Sequence, residues 1–121
     1  MQLQSTTFRK DHDIVLATLG SMALAQTKNR NYKKAAQIYS SILRSQEAKY
    51  GIESQEAAET AGMLGFVHIK EVDFEDALKH LRRVESWQNG NLPTSHPAIR
   101  MTKDTILAIE KCMQGTASVW I

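Results

Sequence analysis

The chain has little cysteine: Cys112 is the single one among 121 residues. An internal disulfide is therefore excluded, and with it the disulfide-stapled folds of small secreted domains. The lack of disulfides, together with an N-terminus that has no apolar run of signal-peptide length, predicts a cytoplasmic, soluble protein. Cys112 lies near the end of an apolar stretch, where we expect a small buried hydrophobe rather than a reactive thiol.

Long hydrophobic runs and an excess of one charge are also missing. No stretch approaches the roughly 20 apolar residues of a transmembrane helix, so no membrane partner is predicted. The 15 basic and 13 acidic residues give a formal charge of +2. Nucleic-acid binding requires a basic stripe or patch, and this balance of charges predicts no nucleic-acid partner.

Motifs for catalysis and for cofactor binding are absent from the sequence as well. It has neither a Gly-x-Ser-x-Gly nucleophile motif nor a glycine-rich phosphate loop. No two of its four histidines have the i, i+4 spacing of a helical zinc pair. His80 is expected on the outer side of its helix. We therefore predict no enzymatic activity, no cofactor and no metal site.

What the sequence does contain is a repeat at a spacing of 42 residues. The residues that recur at this interval are Thr18, Thr60 and Thr102, Gly20 and Gly62, Lys28 and Lys70, and Ala35 and Ala77. A period of this size is typical of stacked supersecondary units, none of which buries its apolar face alone. The repeat therefore predicts an interaction scaffold.

Apolar residues at three-and-four spacing predict five helices and no strand. The helix starts are marked by N-cap residues and by a proline suited to a first turn: Asn31, Ser54, Asp73 and Pro97. The helix ends are predicted at Gly51, in the segment 89–93 and at Gly115. The first helix is expected from Asp13, because residues 1–11 are polar and lack helical periodicity. Expected apolar positions include Val15, Met22 and Leu107.

The predicted fold is all-α, a short right-handed α-solenoid of two helical hairpins and a final helix. Residues 13–53 and 54–95 form repeats 1 and 2, and residues 96–114 form a half repeat or capping helix. Residues 1–12 are an N-terminal extension or the remnant of a preceding repeat. Two and a half units fall short of the three expected for stability, so we expect either a longer array or an open end covered by another subunit.

The remaining residues, 115–121, are predicted to form a C-terminal tail. Its last four residues, Ser118-Val119-Trp120-Ile121, include three large apolar side chains, which a soluble chain seldom exposes at its end. We expect this segment to pack across the last helix as a cap. The alternative is a ligand for another domain that binds by strand addition.

Small residues recur at the same places in both units. The second unit reads Ala61-x-x-Leu64-Gly65-x-x-His68 and then Ala77-x-x-x-Leu81. This pattern resembles that of tetratricopeptide repeats, in which small residues occupy helix crossings. The length of the unit resembles the longer repeats of kinesin light chains.

Several short motifs carry the resemblance to kinesin light chains. Lys10-Asp11-His12-Asp13 and His96-Pro97 match the opening of that family's repeats, and Asn31-Tyr32-Lys33-Lys34-Ala35 and Asp73-Phe74-Glu75-Asp76-Ala77 look like the start of its second helix. The resemblance covers about residues 8 to 113 and implies a protein–protein interaction module. The family's groove asparagines fall at Gly20-Ser21, Gly62-Met63 and Asp104-Thr105. None of these is asparagine, so the resemblance does not imply the family's cargo.

By the same resemblance, the first helix of each hairpin lines a concave groove that binds a peptide. The candidate groove residues are Leu24, Lys28, Glu59, Phe66, Ile69, Lys70, Asp104 and Lys111. Phe66 and Ile69 are large and apolar, yet the helix-crossing stripe does not need them. Lys28 and Lys70 lie one repeat apart, where they could bracket an acidic group. The predicted ligand is a protein or peptide segment with apolar anchors and some acidic character.

Two alternatives to an open groove remain. In the first, Phe66 and Ile69 pack against the N-terminal or C-terminal segment of the same chain. In the second, the protein is an assembly module that forms a homo-oligomer or stacks on a larger repeat protein through its open end.

Overall fold

The computed structural model describes the backbone of residues 2–118 and the side chains of residues 13–115. In this part of the chain it contains five α-helices and no strand: α1 (Gln2–Lys28), α2 (Tyr32–Tyr50), α3 (Gln55–Lys70), α4 (Phe74–Asn91) and α5 (Pro97–Ser118). Each helix packs against the next one along the chain. The predicted all-α arrangement of two hairpins and a final helix is confirmed. None of these helices, over the residues described, has the length and apolarity needed to span a bilayer.

The turns inside the two hairpins repeat the 42-residue period in their backbone geometry. Arg30 and Val72 have φ values of 64° and 61°, in the left-handed region. In each turn the next amide donates to a carbonyl five residues back, at 2.8 Å: Asn31 to Gln26, and Asp73 to His68. This is the Schellman motif, which normally takes glycine at the left-handed position. Neither turn has a glycine there, so both hold a strained residue.

Side-chain capping follows the sequence prediction at two of three helix starts. The side chains of Ser54 and Asp73 each accept a hydrogen bond from the backbone amide three residues later. Asn31 holds the N-cap position of α2 but makes no capping bond. Its side-chain amide donates instead to Oε1 of Gln26, at 2.9 Å. Asn31 therefore ties the turn to the end of α1 rather than capping α2.

Helix α1 is longer than the sequence predicted. It begins at Gln2, so the expected start near Asp13 is wrong. Extending a helix adds one hydrogen bond for each residue fixed, whereas nucleating a new helix is costly. No glycine or proline precedes Gly20 to stop the extension. The role assigned to residues 1–12, an extension or the remnant of a preceding repeat, stays a prediction.

Helix α4 ends inside the predicted segment 89–93, whereas α5 continues past its predicted end at Gly115. Helix α4 runs to Asn91 and ends at Leu92, whose φ and ψ of −113° and 153° are those favoured before a proline. Helix α5 continues through Gly115 to Ser118, because one glycine in a helix interior costs only about 1 kcal/mol. The predicted cap formed by residues 118–121 lies outside the part of the chain whose side chains are described.

At Gly51 the predicted helix end is confirmed. Its φ of 101° belongs to a region that side-chain-bearing residues avoid, and its amide donates to the Glu47 carbonyl at 3.0 Å. The ψ of 156° differs from the left-handed helical value that the sequence predicted. The chain therefore leaves α2 in an extended direction toward the start of α3.

Two clusters of buried residues form the core. The first joins α1, α2 and α3 through Ala23, Ala35, Tyr39, Ile42, Leu43, Ala57, Leu64 and Val67. The second joins α4 and α5 through Ala77, Leu78, Leu81, Ile106 and Ile109. The predicted small residues are needed where helices cross, since Ala23, Ala35 and Ala77 are fully buried. A Cβ added at Gly65 would lie only 3.2 Å from Leu81.

Some residues predicted to be buried lie at the surface. Val15 and Met22 on α1, and Leu107 on α5, are about half exposed. Cys112, predicted to be a buried hydrophobe, is also exposed. The physical reason is that α1 and α5 each pack against one neighbouring helix in chain order, so a large part of their circumference stays uncovered.

Candidate functional site

A concave depression of about 720 Å³ lies between α1 and α3, and we call it the groove. The buried side chains of Tyr39 and Ile42 on α2 form its bottom. The residues that line it are Leu16, Ala17, Gly20, Ser21, Leu24, Tyr39, Ile42, Gln46, Glu59, Thr60, Gly62 and Met63. The first helices of the two hairpins thus face each other across a cleft.

Two glycines keep the groove open. A Cβ built at Gly20 would meet no atom within 4 Å, and one built at Gly62 would meet only Cγ2 of Val84, at 3.8 Å. Helix packing therefore requires glycine at neither position. The space that side chains would occupy there is left to the groove.

The groove contains two of the predicted site residues, Leu24 and Glu59. Leu24 is 43% exposed, and Glu59 accepts a hydrogen bond from the side chain of Gln55 at 3.0 Å. Phe66, two turns further along α3, is 48% exposed and lies outside the lining. The ammonium group of Lys70 lies 5.3 Å from the centroid of the Phe66 ring, within range of a cation–π contact.

The other predicted site residues lie elsewhere. Ile69 is partly buried against the core cluster of α4 and α5 and is not among the residues that line the groove. Lys28 is exposed at the end of α1, outside the lining residues. Asp104 and Lys111 are exposed on α5, which contributes no lining residue, and Asp104 is 4.0 Å from Arg100. The groove is therefore built by the first three helices.

Sequence reasoning missed the part of the wall formed by Met63. Its side chain is 46% exposed and lies beside Gly62 in the groove. The resemblance could have indicated Met63, since Gly62-Met63 falls where kinesin light chains carry the paired asparagines of their groove. A polar contact was missed as well: Thr60 donates to Oε1 of Gln46 and links α3 to α2 beside the groove.

Two histidines from different helices stack near the end of the second hairpin. The rings of His68 on α3 and His80 on α4 have centroids 5.4 Å apart and are tilted by only 3°. The prediction that His80 lies on the outer side of its helix is wrong, because its side chain is partly buried. Burial lowers the pKa of His80 below its ordinary value, and the neighbouring His68 lowers it further.

A second depression, of about 550 Å³, lies between α4 and the connection from α2 to α3. Arg83 lines it, and its guanidinium lies 2.6 Å from Oε2 of Glu47 and donates to the Ile52 carbonyl at 2.8 Å. These bonds join the second hairpin to the first. We do not propose a ligand site in this depression, because its arginine is already paired within the chain.

No model of a protein family matches the sequence, and no curated protein matches it either. The candidate function therefore depends on the geometry of the groove and on the repeat pattern of the sequence.

Proposed function

We propose that the protein is an interaction module, an adaptor or scaffold, that binds a peptide segment in the groove. The observation that carries this proposal is exposed apolar surface in and beside the groove. Leu24, Met63 and Phe66 are each between 43% and 48% exposed. Apolar patches left uncovered on a protein surface often mark interaction sites.

The shape of the groove supports a peptide ligand. Its volume of about 720 Å³ falls in the range of ligand pockets, roughly 300–1,000 Å³. Gly20 and Gly62 leave space that a ligand's side chains would fill without displacing any atom of the core. The resemblance to tetratricopeptide repeats points the same way, since such solenoids bind partners on their concave faces.

Charged residues near the groove favour one orientation of the bound peptide. Glu59 lies in the first half of α3, whereas Lys28 and Lys70 are the last residues of α1 and α3. An acidic group on the peptide is therefore expected at the end marked by the two lysines. Exposed ion pairs contribute only about 0–1 kcal/mol, so the charges set orientation and the apolar anchors supply most of the affinity.

The experiment that tests this proposal begins with a displayed peptide library selected against the wild-type protein. The dissociation constants of the selected peptides are then measured by fluorescence polarisation. Phe66→Glu removes an apolar anchor, and Gly20→Leu fills the groove without removing any side chain. Phe66→Glu should weaken binding about tenfold, because losing the burial of one half-exposed apolar group amounts to about 1–1.5 kcal/mol. Gly20→Leu should also weaken binding, because the added side chain occupies space that the peptide would fill.

Leu107→Glu is the matched control, since Leu107 is 54% exposed on α5, away from the lining of the groove. This variant should bind the selected peptides as tightly as the wild type. The proposal fails if Phe66→Glu lowers thermal stability yet leaves peptide affinity unchanged. That result would mean that Phe66 packs against another segment of the same chain.

A second candidate function is assembly through the outer faces of the terminal helices. Met101 and Leu107 on α5, and Ile14 and Val15 on α1, are 54–69% exposed. Stacking on another copy or on a larger repeat protein would cover these side chains, as neighbouring repeats do in a solenoid. Light scattering after gel filtration tests self-association: a monomer at high concentration argues against it, and dissociation by Leu107→Glu supports it.

A further inference from the structure

The turn between α3 and α4 brings together a nitrogen and two carboxylate groups that no motif in the sequence links. His68 lies in the last turn of α3, Asp73 is the N-cap of α4, and Asp76 lies in its first turn. Each residue offers one ligand atom, and these atoms all lie within 4.8 Å of one another. The Schellman turn produces this proximity, because it folds the start of α4 back over the end of α3.

The distances in this cluster suit ligands of one metal ion better than direct hydrogen bonds. Nδ1 of His68 is 3.9 Å from Oδ2 of Asp73 and 3.7 Å from Oε1 of Glu71. A side-chain contact with a donor–acceptor distance of about 3.6 Å or more is too long for a hydrogen bond. Two atoms that each lie about 2.0–2.2 Å from one Zn²⁺ ion are roughly 3.0–4.4 Å apart, depending on the angle between them. Only small side-chain movements are therefore needed to close the cluster around an ion.

The Nδ1 atom of His68 is also buried without a hydrogen-bond partner among the described residues. Buried polar atoms in native proteins nearly always have a partner, so an orphaned imidazole nitrogen needs an explanation. The ring is held in place by its stacking on His80, and the His68 side chain is only 15% exposed. A metal ion beside the carboxylates would give this nitrogen its missing partner.

Helix capping uses only one of the two carboxylate oxygens of Asp73 and leaves the other available to a metal ion. Its Oδ1 accepts the hydrogen bond from the backbone amide of Asp76, at 3.5 Å. Its other oxygen, Oδ2, is the one near His68. Oδ1 of Asp73 therefore caps α4, and Oδ2 remains near His68, where it can bind a metal ion.

We propose that His68, Asp73 and Asp76 bind a divalent transition-metal ion of the zinc type. An imidazole nitrogen among carboxylates favours zinc-like ions over Mg²⁺ and Ca²⁺, which prefer oxygen ligands alone. The ion would cross-link the end of α3 to the start of α4 and so stabilise the second hairpin. This site lies outside the groove and does not depend on the proposed peptide binding.

Isothermal titration of the chelator-treated protein with Zn²⁺, and separately with Mg²⁺, tests the proposal. We expect one Zn²⁺ bound per chain, together with a rise in the midpoint of thermal unfolding, since a ligand that prefers the folded state stabilises it. His68→Gln and Asp73→Asn should each weaken Zn²⁺ binding about tenfold or more. Asparagine remains a good N-cap, so Asp73→Asn tests the carboxylate while keeping the helix start.

His96→Gln is the matched control, because it removes an imidazole that lies outside the cluster. This variant should bind Zn²⁺ as the wild type does. The proposal is overturned if the wild type binds no Zn²⁺, or if His68→Gln and Asp73→Asn leave its affinity unchanged. Mg²⁺ binding as tight as Zn²⁺ binding would overturn the assignment to a zinc-type ion.

Discussion

Replacing Gly65 by alanine tests how closely α3 and α4 approach each other. The added Cβ would lie 3.2 Å from both Cγ and Cδ2 of Leu81, and 3.7 Å from the carbonyl oxygen of Ala77. Leu81 is 8% exposed and belongs to the same core cluster as Ile106 and Ile109. It therefore has little room to move away from a new methyl group.

Two opposing effects set the size of the change. Alanine in place of glycine inside a helix stabilises the fold by about 1 kcal/mol. Overpacking a well-filled core destabilises it by about 1–3 kcal/mol. We therefore expect Gly65→Ala to leave the free energy of unfolding unchanged or to lower it by up to about 2 kcal/mol.

Gly20→Ala is the matched control for this prediction. Gly20 also lies inside a helix, but an added Cβ there meets nothing within 4 Å. This variant should raise the free energy of unfolding by about 1 kcal/mol, so the two alanine variants should differ by about 1–3 kcal/mol.

Urea denaturation followed by far-UV circular dichroism, with linear extrapolation, measures both variants. A double-mutant cycle with Leu81→Ala isolates the contact: once the leucine is removed, Gly65→Ala should stabilise by about 1 kcal/mol. The reasoning is refuted if Gly65→Ala stabilises the wild-type protein as much as Gly20→Ala does.

Two further predictions concern Val72 and His80. Val72 is 68% exposed with a φ of 61°, so Val72→Gly should raise the free energy of unfolding in urea by about 0.5–1 kcal/mol. Val72→Ala retains a Cβ, and an equal gain in that variant would contradict the argument from backbone strain. Burial lowers the folded-state pKa of His80, so the unfolded chain binds a proton on this residue more tightly than the folded chain does. The free energy of unfolding should therefore fall as the pH drops through the ordinary histidine pKa of about 6.5. With a chelator present, His80→Gln should lose less stability than the wild type between about pH 7.5 and pH 5.5, and equal losses would contradict this explanation.

The starts of α3, α4 and α5 were predictable because their signals are local. Ser54, Asp73 and Pro97 each act within one turn of their own position, through a capping bond or a fixed φ. The helix ends were less predictable. Gly115 does not stop α5, since a single glycine in a helix costs only about 1 kcal/mol, whereas Pro93 does end α4 through its effect on the residue before it.

The candidate groove was predictable in part. The resemblance to tetratricopeptide repeats implied that Leu24 and Glu59 lie on facing helices, and both line the depression between α1 and α3. Phe66 and Ile69 are equally apolar and lie three residues apart on α3, yet one is exposed and the other packs against the core cluster of α4 and α5. Which of them a neighbouring helix covers depends on where that helix lies, and residue type does not encode this.

The sequence by itself therefore determined the kind of local structure: five helices and two hairpin turns with the same geometry, because caps, turns and periodicity act over a few residues. Only the tertiary structure decided which surfaces remain open and which distant groups meet. The approach of His68 to Asp73 and Asp76, and the stacking of His68 on His80, depend on how the second hairpin folds back on itself. Such contacts are set by the packing of whole helices, since that packing fixes side-chain distances across the chain.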